Sequence, residues 1–415
     1  MFQNLASLFI KFFGALVSYL LTVYISRTFG NETLGYFSFL LSYSLIFLLF
    51  LKSGTDIYLM KWTSRYVATD EKGKAVSLYY KLLTYHITAG LILTTFCIVC
   101  TPFILNTLFS QYRNIQFFEI GLISLFFMNL HILNYEFLRG SQRLISYTFY
   151  HTVSIFLLTI LLNISFEWLR ITSDHQLESA YLIAVVISFF LSFIHVQSVL
   201  RHQHKASSDR QSILLILKDS FPFFSNNAVL VLIGTIDVFI LSNYVSPSVI
   251  GEYALMVKIA TFVSFPLVVL GANFSPKIAA FDSHESLQKS KHRVVRSIAL
   301  FSLILFMLIL LILQPAINFL NIHQIKSNWI FLIIGAGFVI SSAFALNEAC
   351  LQMMGEEKLY QKIMLLACLF NFILNLLLIP IWKEVGAALA SMLTLLSWNL
   401  AASYYAHKKL KISTF

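Results

Sequence analysis

Residues 219–276 read DSFPFFSNNAVLVLIGTIDVFILSNYVSPSVIGEYALMVKIATFVSFPLVVLGANFSP. The stretch contains two long apolar runs, 223–241 and 249–273, on either side of a short polar turn. A helix of about 20 apolar residues, at 1.5 Å per residue, crosses roughly 30 Å of hydrocarbon. The stretch therefore predicts a helical hairpin embedded in a membrane.

Each arm of this hairpin carries one charge inside its apolar run, Asp237 in the first and Lys258 in the second. A charged side chain in a membrane span costs about 2.5–3.5 kcal/mol on insertion scales, so such residues are functional candidates by default. Three interpretations of Asp237 stay open: it is protonated, it pairs with Lys258, or it is a proton or sodium site. A structural pair with a neighbouring helix explains it equally well.

The hairpin also has a counterpart near the start of the chain. IGEY at 250–253 matches LGYF at 34–37 at a shift of 216, and MGEEKL at 354–359 matches RGSQRL at 139–144 at a shift of 215. Two matches at nearly one offset, close to half the chain length, indicate an internal duplication. We expect two domains, residues 1–204 and 205–415, arranged as repeats around a central site.

The composition extends the membrane interpretation to the entire chain. Hydrophobic residues make up 58% of the 415 residues and charged residues only 12%, against about 25% charged residues in a soluble domain. We count twelve apolar segments and predict an all-α integral membrane protein with two pseudo-symmetric six-helix bundles around a central cavity. The segments are 5–26, 35–54, 78–109, 115–137, 145–168, 179–200, 213–241, 249–273, 294–320, 329–351, 363–382 and 385–407.

The basic residues predict the orientation. If both termini are cytoplasmic, 21 of the 29 lysines and arginines lie on the cytoplasmic side and only 5 on the outer side. Such a bias follows the positive-inside rule, and it explains the net charge of +10 by contact with anionic membrane lipids. Nucleic acid is excluded as a partner, because no soluble domain is present to carry a basic face.

Three lysines inside apolar segments are the candidates for substrate binding: Lys11, Lys52 and Lys258. Lysine is a compact positive charge that can hold a phosphate, so together they predict a cationic cavity for an anionic head group. The alternative is that their long stems carry the ammonium groups to the interface. Lys52 has a further alternative, an ion pair with Asp56 four residues on. Asp56 and Glu136 join Asp237 as candidates for ion coupling or structural pairing.

Motifs for enzymatic chemistry are missing from the sequence. It contains no Walker loop, no HExxH motif and no nucleophile elbow, and Cys97 and Cys100 lie within an apolar run as expected for inert buried thiols. We therefore predict a protein that is not an enzyme and that binds neither a cofactor nor a metal.

Four stretches of the chain resemble one known family. They are RTFGNETLGYFS at 27–38, IDVFIL at 236–241, VIGEYA at 249–254, and the segment from Gly355 through Asn375 with Pro380 and GAA at 386–388. In order and spacing they are similar to the bacterial polysaccharide (O-antigen-type) flippases of the multidrug/oligosaccharidyl-lipid/polysaccharide exporter superfamily.

The resemblance implies a specific function. It implies two six-helix bundles with alternating access, in the bacterial inner membrane, that move an undecaprenyl-diphosphate-linked oligosaccharide such as an O-antigen or capsule repeat unit. It suggests a polymerase and a chain-length regulator as partners. Asp237 matches the acidic residue of the family's seventh helix, and Lys258 a position that tends to be basic. Lys11 and Lys52 have no family match and rest on the physical argument alone.

The sequence contains no nucleotide site, so we expect a gradient of H⁺ or Na⁺ to drive transport. Two other functions remain as alternatives. A small-molecule antiporter could use the same fold, although a basic cleft is unsuited to cationic drugs. A membrane glycan polymerase or ligase would need a large outer loop, and the longest predicted outer loop has about ten residues.

Overall fold

The computed structural model describes residues 2–108, 115–171, 173, 175–201, 211–271, 274, 278, 284–319 and 326–412. Within these ranges the chain is helical and contains no strand. The α-helices are α1 (Phe2–Thr28), α2 (Gly30–Lys52), α3 (Thr55–Ala68), α4 (Lys72–Leu108), α5 (Ile115–Gly140), α6 (Leu144–Thr152), α7 (Ser154–Trp168), α8 (Gln176–Arg201), α9 (Ile213–Leu241), α10 (Pro247–Thr261), α11 (His284–Phe319), α12 (Lys326–Ser342), α13 (Asn347–Met353) and α14 (Glu357–Leu410). The all-α prediction is confirmed.

The number of spans depends on how broken helices are counted. Eight described helices are long and apolar enough to cross a membrane, and two bent pairs, α6 with α7 and α12 with α13, raise the number to ten. The 54-residue α14 is two helices joined at Lys383, whose φ of 50° and ψ of −125° are not helical. A further apolar helical segment begins with α10 and continues through a 3₁₀ turn at Phe262–Ser264 and a π-helix at Leu267–Gly271. Counted in this way, the twelve predicted segments all correspond to helices.

The described chain divides into two compact units. Unit 1 comprises Met1–Tyr24 and Leu40–Val231, and unit 2 comprises Ile25–Phe39 and Leu232–Phe415. The predicted domain boundary between residues 204 and 205 falls outside the described residues, and the division 1–204 and 205–415 stays a prediction.

Unit 1 is organised around α5, which packs against α3, α4 and α8. Its buried polar side chains bond across helices. His86 on α4 contacts Thr55 Oγ1 and Asn129 Oδ1, both at 2.8 Å, and His131 on α5 contacts Ser192 Oγ on α8 at 2.9 Å. Such bonds hold membrane helices together where burial from water gives little driving force.

In unit 2, the start of α2 crosses the start of α10 at close range. These are the two stretches that the sequence comparison matched as repeats. A Cβ on Gly35 would overlap the carbonyl oxygen of Pro247, and a Cβ on Gly251 would overlap that of Asn31. Asn31 and Gly35 correspond to Pro247 and Gly251 at the shift of 216, so each half supplies the same two positions to one reciprocal contact. Small residues permit this approach of two backbones.

Candidate functional site

The junction of α2 and α3 places the first candidate pair. Ser53 and Gly54 both have positive φ, 47° and 76°, which ends α2 and starts α3 in a new direction. Lys52 and Asp56 lie on either side of this break, and their Nζ and Oδ2 atoms form an ion pair at 2.9 Å. Gly54 permits the turn to rest on α9, because a Cβ there would lie 2.5 Å from the carbonyl oxygen of Ser220.

Asp56 is withdrawn from solvent, with only 4% of its surface exposed. Its Oδ1 atom is buried and has no hydrogen-bond partner among the described residues. The neighbouring Thr55 is bonded to His86, which anchors the start of α3 to α4. The charge of Asp56 is therefore balanced mainly by Lys52, and a change at Lys52 acts directly on a buried carboxylate.

Glu136 lies near the end of α5 and is also buried, with 7% exposed. Arg139, one turn later, approaches its Oε2 atom at 3.4 Å and lies 5.0 Å from the centre of the Tyr147 ring. The Tyr147 and His151 rings stack with centroids 5.4 Å apart and an angle of 15° between their planes. The chain reverses between α5 and α6 at Gln142, whose φ is 64°, and this turn brings Tyr147 back to Arg139.

These side chains share one electrostatic neighbourhood within unit 1. The charges of Lys52 and Asp56 act on Glu136, and those of Lys11, Lys52 and Arg139 act on the His151 ring. Lys11 is exposed on α1.

We define the unit-1 cluster as the three cations and two carboxylates of this neighbourhood: Lys11, Lys52, Arg139, Asp56 and Glu136. Four of its five members are sequence-predicted site residues. The cluster has one more positive than negative charge, and its cations suit phosphate oxygens. The aromatic rings beside it offer flat apolar faces.

The two remaining candidates lie in unit 2. Asp237 is buried near the end of α9 and accepts a hydrogen bond from Tyr253 Oη on α10 at 2.6 Å. The Tyr253 hydroxyl also contacts the side chain of Ser391. Lys258 lies in the last turn of α10 and is half-buried. The described ion pairs include none between Asp237 and Lys258. Tyr253 and Lys258 are five residues apart on α10, which places them on different faces of the helix.

Several polar residues went unrecognised as site candidates in the sequence, although Arg139 was a weaker candidate beside Glu136. Tyr147 and His151, which lie beside Arg139, were missed, although an aromatic residue and a histidine four positions apart lie on one helix face. Glu252 was missed as well: it is buried and accepts bonds from Asn31 at 3.4 Å and from Ser327 at 3.2 Å. The signal for Glu252 was an acidic residue inside an apolar run.

Metal binding finds no support in the described part of the chain. No group of three or more histidine, cysteine, aspartate or glutamate side chains there could hold a metal ion. The cations and carboxylates of the unit-1 cluster can pair charges and exchange protons.

Comparison with known proteins identifies a family for the chain. The family model described as polysaccharide biosynthesis protein matches residues 3–274. No curated protein matches the chain significantly.

Several solved structures share the fold. The chain is similar to the lipid II flippase MurJ in an inward closed conformation, with 16% identity over 96% of this chain and 86% of that one and a TM-score of 0.72. It is similar to an inward-facing multidrug resistance MATE family transporter of the MOP superfamily, with 13% identity over 96% and 94% and a TM-score of 0.74. It is also similar to the MATE transporter VcmN of Vibrio cholerae in its bent form, with 13% identity over 99% and 95% and a TM-score of 0.64. At these low sequence identities, the comparisons show that the fold is shared.

Proposed function

The chain belongs to the polysaccharide biosynthesis protein family, and from that premise we propose that it is a flippase for a lipid-linked oligosaccharide. Its substrate is an oligosaccharide on undecaprenyl diphosphate, an O-antigen or capsule repeat unit, and it crosses the bacterial inner membrane by alternating access. Both termini are cytoplasmic in this proposal. A polymerase and a chain-length regulator act on the product.

The observation that carries the proposal is the unit-1 cluster. A diphosphate brings two or more negative charges into the protein, and burying them is feasible only if several cations meet them. Lys11, Lys52 and Arg139 supply three cations within one neighbourhood. Lys52 and Arg139 are each held by a carboxylate, at 2.9 and 3.4 Å, so the substrate phosphates compete with Asp56 and Glu136 for them. In unit 2, Lys258 is the proposed further contact.

The same carboxylates are the proposed sites of ion coupling. When a phosphate takes Lys52 or Arg139, the released Asp56 or Glu136 gains a proton or a sodium ion in exchange. Asp237, held by Tyr253, is the corresponding acid of unit 2. An ion gradient is a sufficient source of energy, because one charge crossing 100 mV contributes about 2.3 kcal/mol.

A translocation assay in sealed vesicles tests the proposal. We expect the double variant Lys11→Ala/Lys258→Ala to move a fluorescent lipid-linked oligosaccharide at least about a hundredfold more slowly than the wild type, since each of the two lost charged contacts contributes about 1.5–3 kcal/mol. The matched control is Lys358→Ala/Lys362→Ala, which removes two exposed lysines from the start of α14 and should transport normally. Unchanged transport in the first variant would rule out the cationic mechanism.

An antiporter of small molecules is the second candidate, and the two buried carboxylates of the unit-1 cluster favour it. Buried acids such as Asp56 and Glu136 could then bind a cationic substrate. Uptake or efflux of a cationic dye that depends on this protein and on Glu136 would support this function over the flippase.

A further inference from the structure

The first turns of α11 carry a basic surface in unit 2 that the proposed transport function does not use. An open cavity of about 530 Å³ is lined there by Lys289, His292, Arg293, Arg296, Ser297 and Leu300. These described lining residues include no acid. Outside the lining, Glu285 pairs with Lys289 at 2.6 Å. Arg293 and Arg296 have no acidic partner within 4.0 Å among the described residues, so their charges remain available to a ligand.

Directly beyond these arginines the same helix face becomes apolar. Leu300, Ile304, Met307 and Leu311 follow Arg296 at spacings of three or four residues, which places them in one stripe along the helix. Their exposed fractions are 57%, 43%, 51% and 76%. Only 17% of the apolar window of this span is buried, the lowest share of the eight long spans in the described chain. The basic surface therefore lies at the end of a long apolar stripe that faces away from the protein core.

The opposite face of α11 fixes this orientation. Leu287, Val295 and Ile298 are buried in the core of unit 2. Lys291 is fully buried, and its Nζ atom donates to Asn347 Oδ1 at 2.5 Å. A buried cation bonded across helices resists rotation of α11, because turning the helix would break that bond inside the protein. Arg293 and Arg296 are thus held outward.

We propose that this surface, the α11 groove, is a binding site for an anionic phospholipid. Arg293 and Arg296 bind the phosphate of the head group by charge-assisted hydrogen bonds. The acyl chains lie along the stripe from Leu300 to Leu311. Basic pockets at the end of a membrane helix recognise anionic head groups in this way. The site depends on neither the transport substrate nor the direction of transport.

Native mass spectrometry of the purified full chain tests the proposal. The protein is titrated with phosphatidylglycerol, phosphatidylcholine or a polyprenyl diphosphate. We expect wild type to retain phosphatidylglycerol in preference to phosphatidylcholine. The variant Arg293→Gln/Arg296→Gln should lose about thirtyfold in affinity for phosphatidylglycerol, which is the contribution of two basic residues near an anionic surface. Both arginines are exposed, so the variant should fold.

The control variant Lys358→Gln/Lys362→Gln removes two exposed charges from the start of another helix and should bind phosphatidylglycerol as wild type does. An equal loss of affinity for phosphatidylglycerol in both variants would show that the lipid responds only to the net charge of the protein, and it would contradict the proposed site. Equal retention of phosphatidylglycerol and phosphatidylcholine by wild type would overturn it too. Stronger competition by the polyprenyl diphosphate would assign the groove to the transport substrate instead.

Discussion

Lys52 and Asp56 illustrate how a membrane protein maintains charges in a nonpolar interior. The side chain of Lys52 is 15% exposed and that of Asp56 is 5% exposed, and they form a close ion pair. Such a pair adds little net stability, because both charges lose their hydration. Removing one partner is far more costly than removing both, since the other charge is then left buried without compensation.

This asymmetry leads to a prediction for the Lys52–Asp56 pair. The variant Lys52→Ala should lose about 3 kcal/mol of unfolding free energy, because Asp56 would keep a buried charge. The double variant Lys52→Ala/Asp56→Asn should recover most of that loss. Denaturant unfolding in detergent micelles, arranged as a double-mutant cycle, measures both. Equal losses in the two variants would show that the pair contributes through packing rather than charge.

Among the helices, the crossing of the start of α2 with α10 depends most on small residues. Two short-range backbone contacts, Gly35 with Pro247 and Gly251 with Asn31, leave no room for a side chain. The bonds of Glu252 to Asn31 and Ser327 lie beside them. Because the repeat contributes the same positions twice, the crossing is a contact between duplicated elements.

The close crossing predicts that two glycine substitutions differ strongly in their effect on stability. Gly35→Ala should destabilise the protein by at least about 2 kcal/mol, because its methyl group meets backbone that can move only with its helix. Gly234→Ala on α9 is the matched control, since no atom lies within 4 Å of its added Cβ. It should be neutral or stabilising, as alanine favours a helix.

Thermal unfolding of the purified variants distinguishes the two glycine positions. A melting temperature for Gly35→Ala equal to that of Gly234→Ala would contradict the close crossing. Transport by Gly234→Ala should equal that of wild type in the same preparation.

At the scale of the entire chain, the distribution of lysine and arginine residues predicts the orientation of the protein in the membrane. Residues near Arg170 belong to a predicted outer loop and those near Lys358 to a predicted cytoplasmic loop. In a variant whose four cysteines are replaced by alanine, a membrane-impermeant maleimide added to intact cells with a permeabilised outer membrane should label Arg170→Cys. It should label Lys358→Cys only after lysis. The reverse pattern would place both termini on the outer side.

Much of the fold follows from local properties of the sequence. Twelve apolar runs predict twelve helical segments, because what makes a run a membrane helix is local. The run must be long enough to cross the hydrocarbon, and its backbone must satisfy its own hydrogen bonds in lipid. The break at Lys383 falls in the short polar gap between the last two runs. The pairing of Lys52 with Asp56 was one of three interpretations, and it could be considered because four residues separate them along a helix.

The remaining site contacts required the tertiary structure. Arg139 meets Tyr147 because Gln142 reverses the chain between α5 and α6, and Asp237 bonds Tyr253 rather than Lys258 because of how α10 is rotated against α9. Hydrophobicity specifies that a helix lies in the membrane but hardly specifies its rotation, because lipid and protein interior are equally apolar to a leucine. Rotation and chain reversal are set by close packing and by polar bonds between distant segments, and these exist only once the helices have assembled.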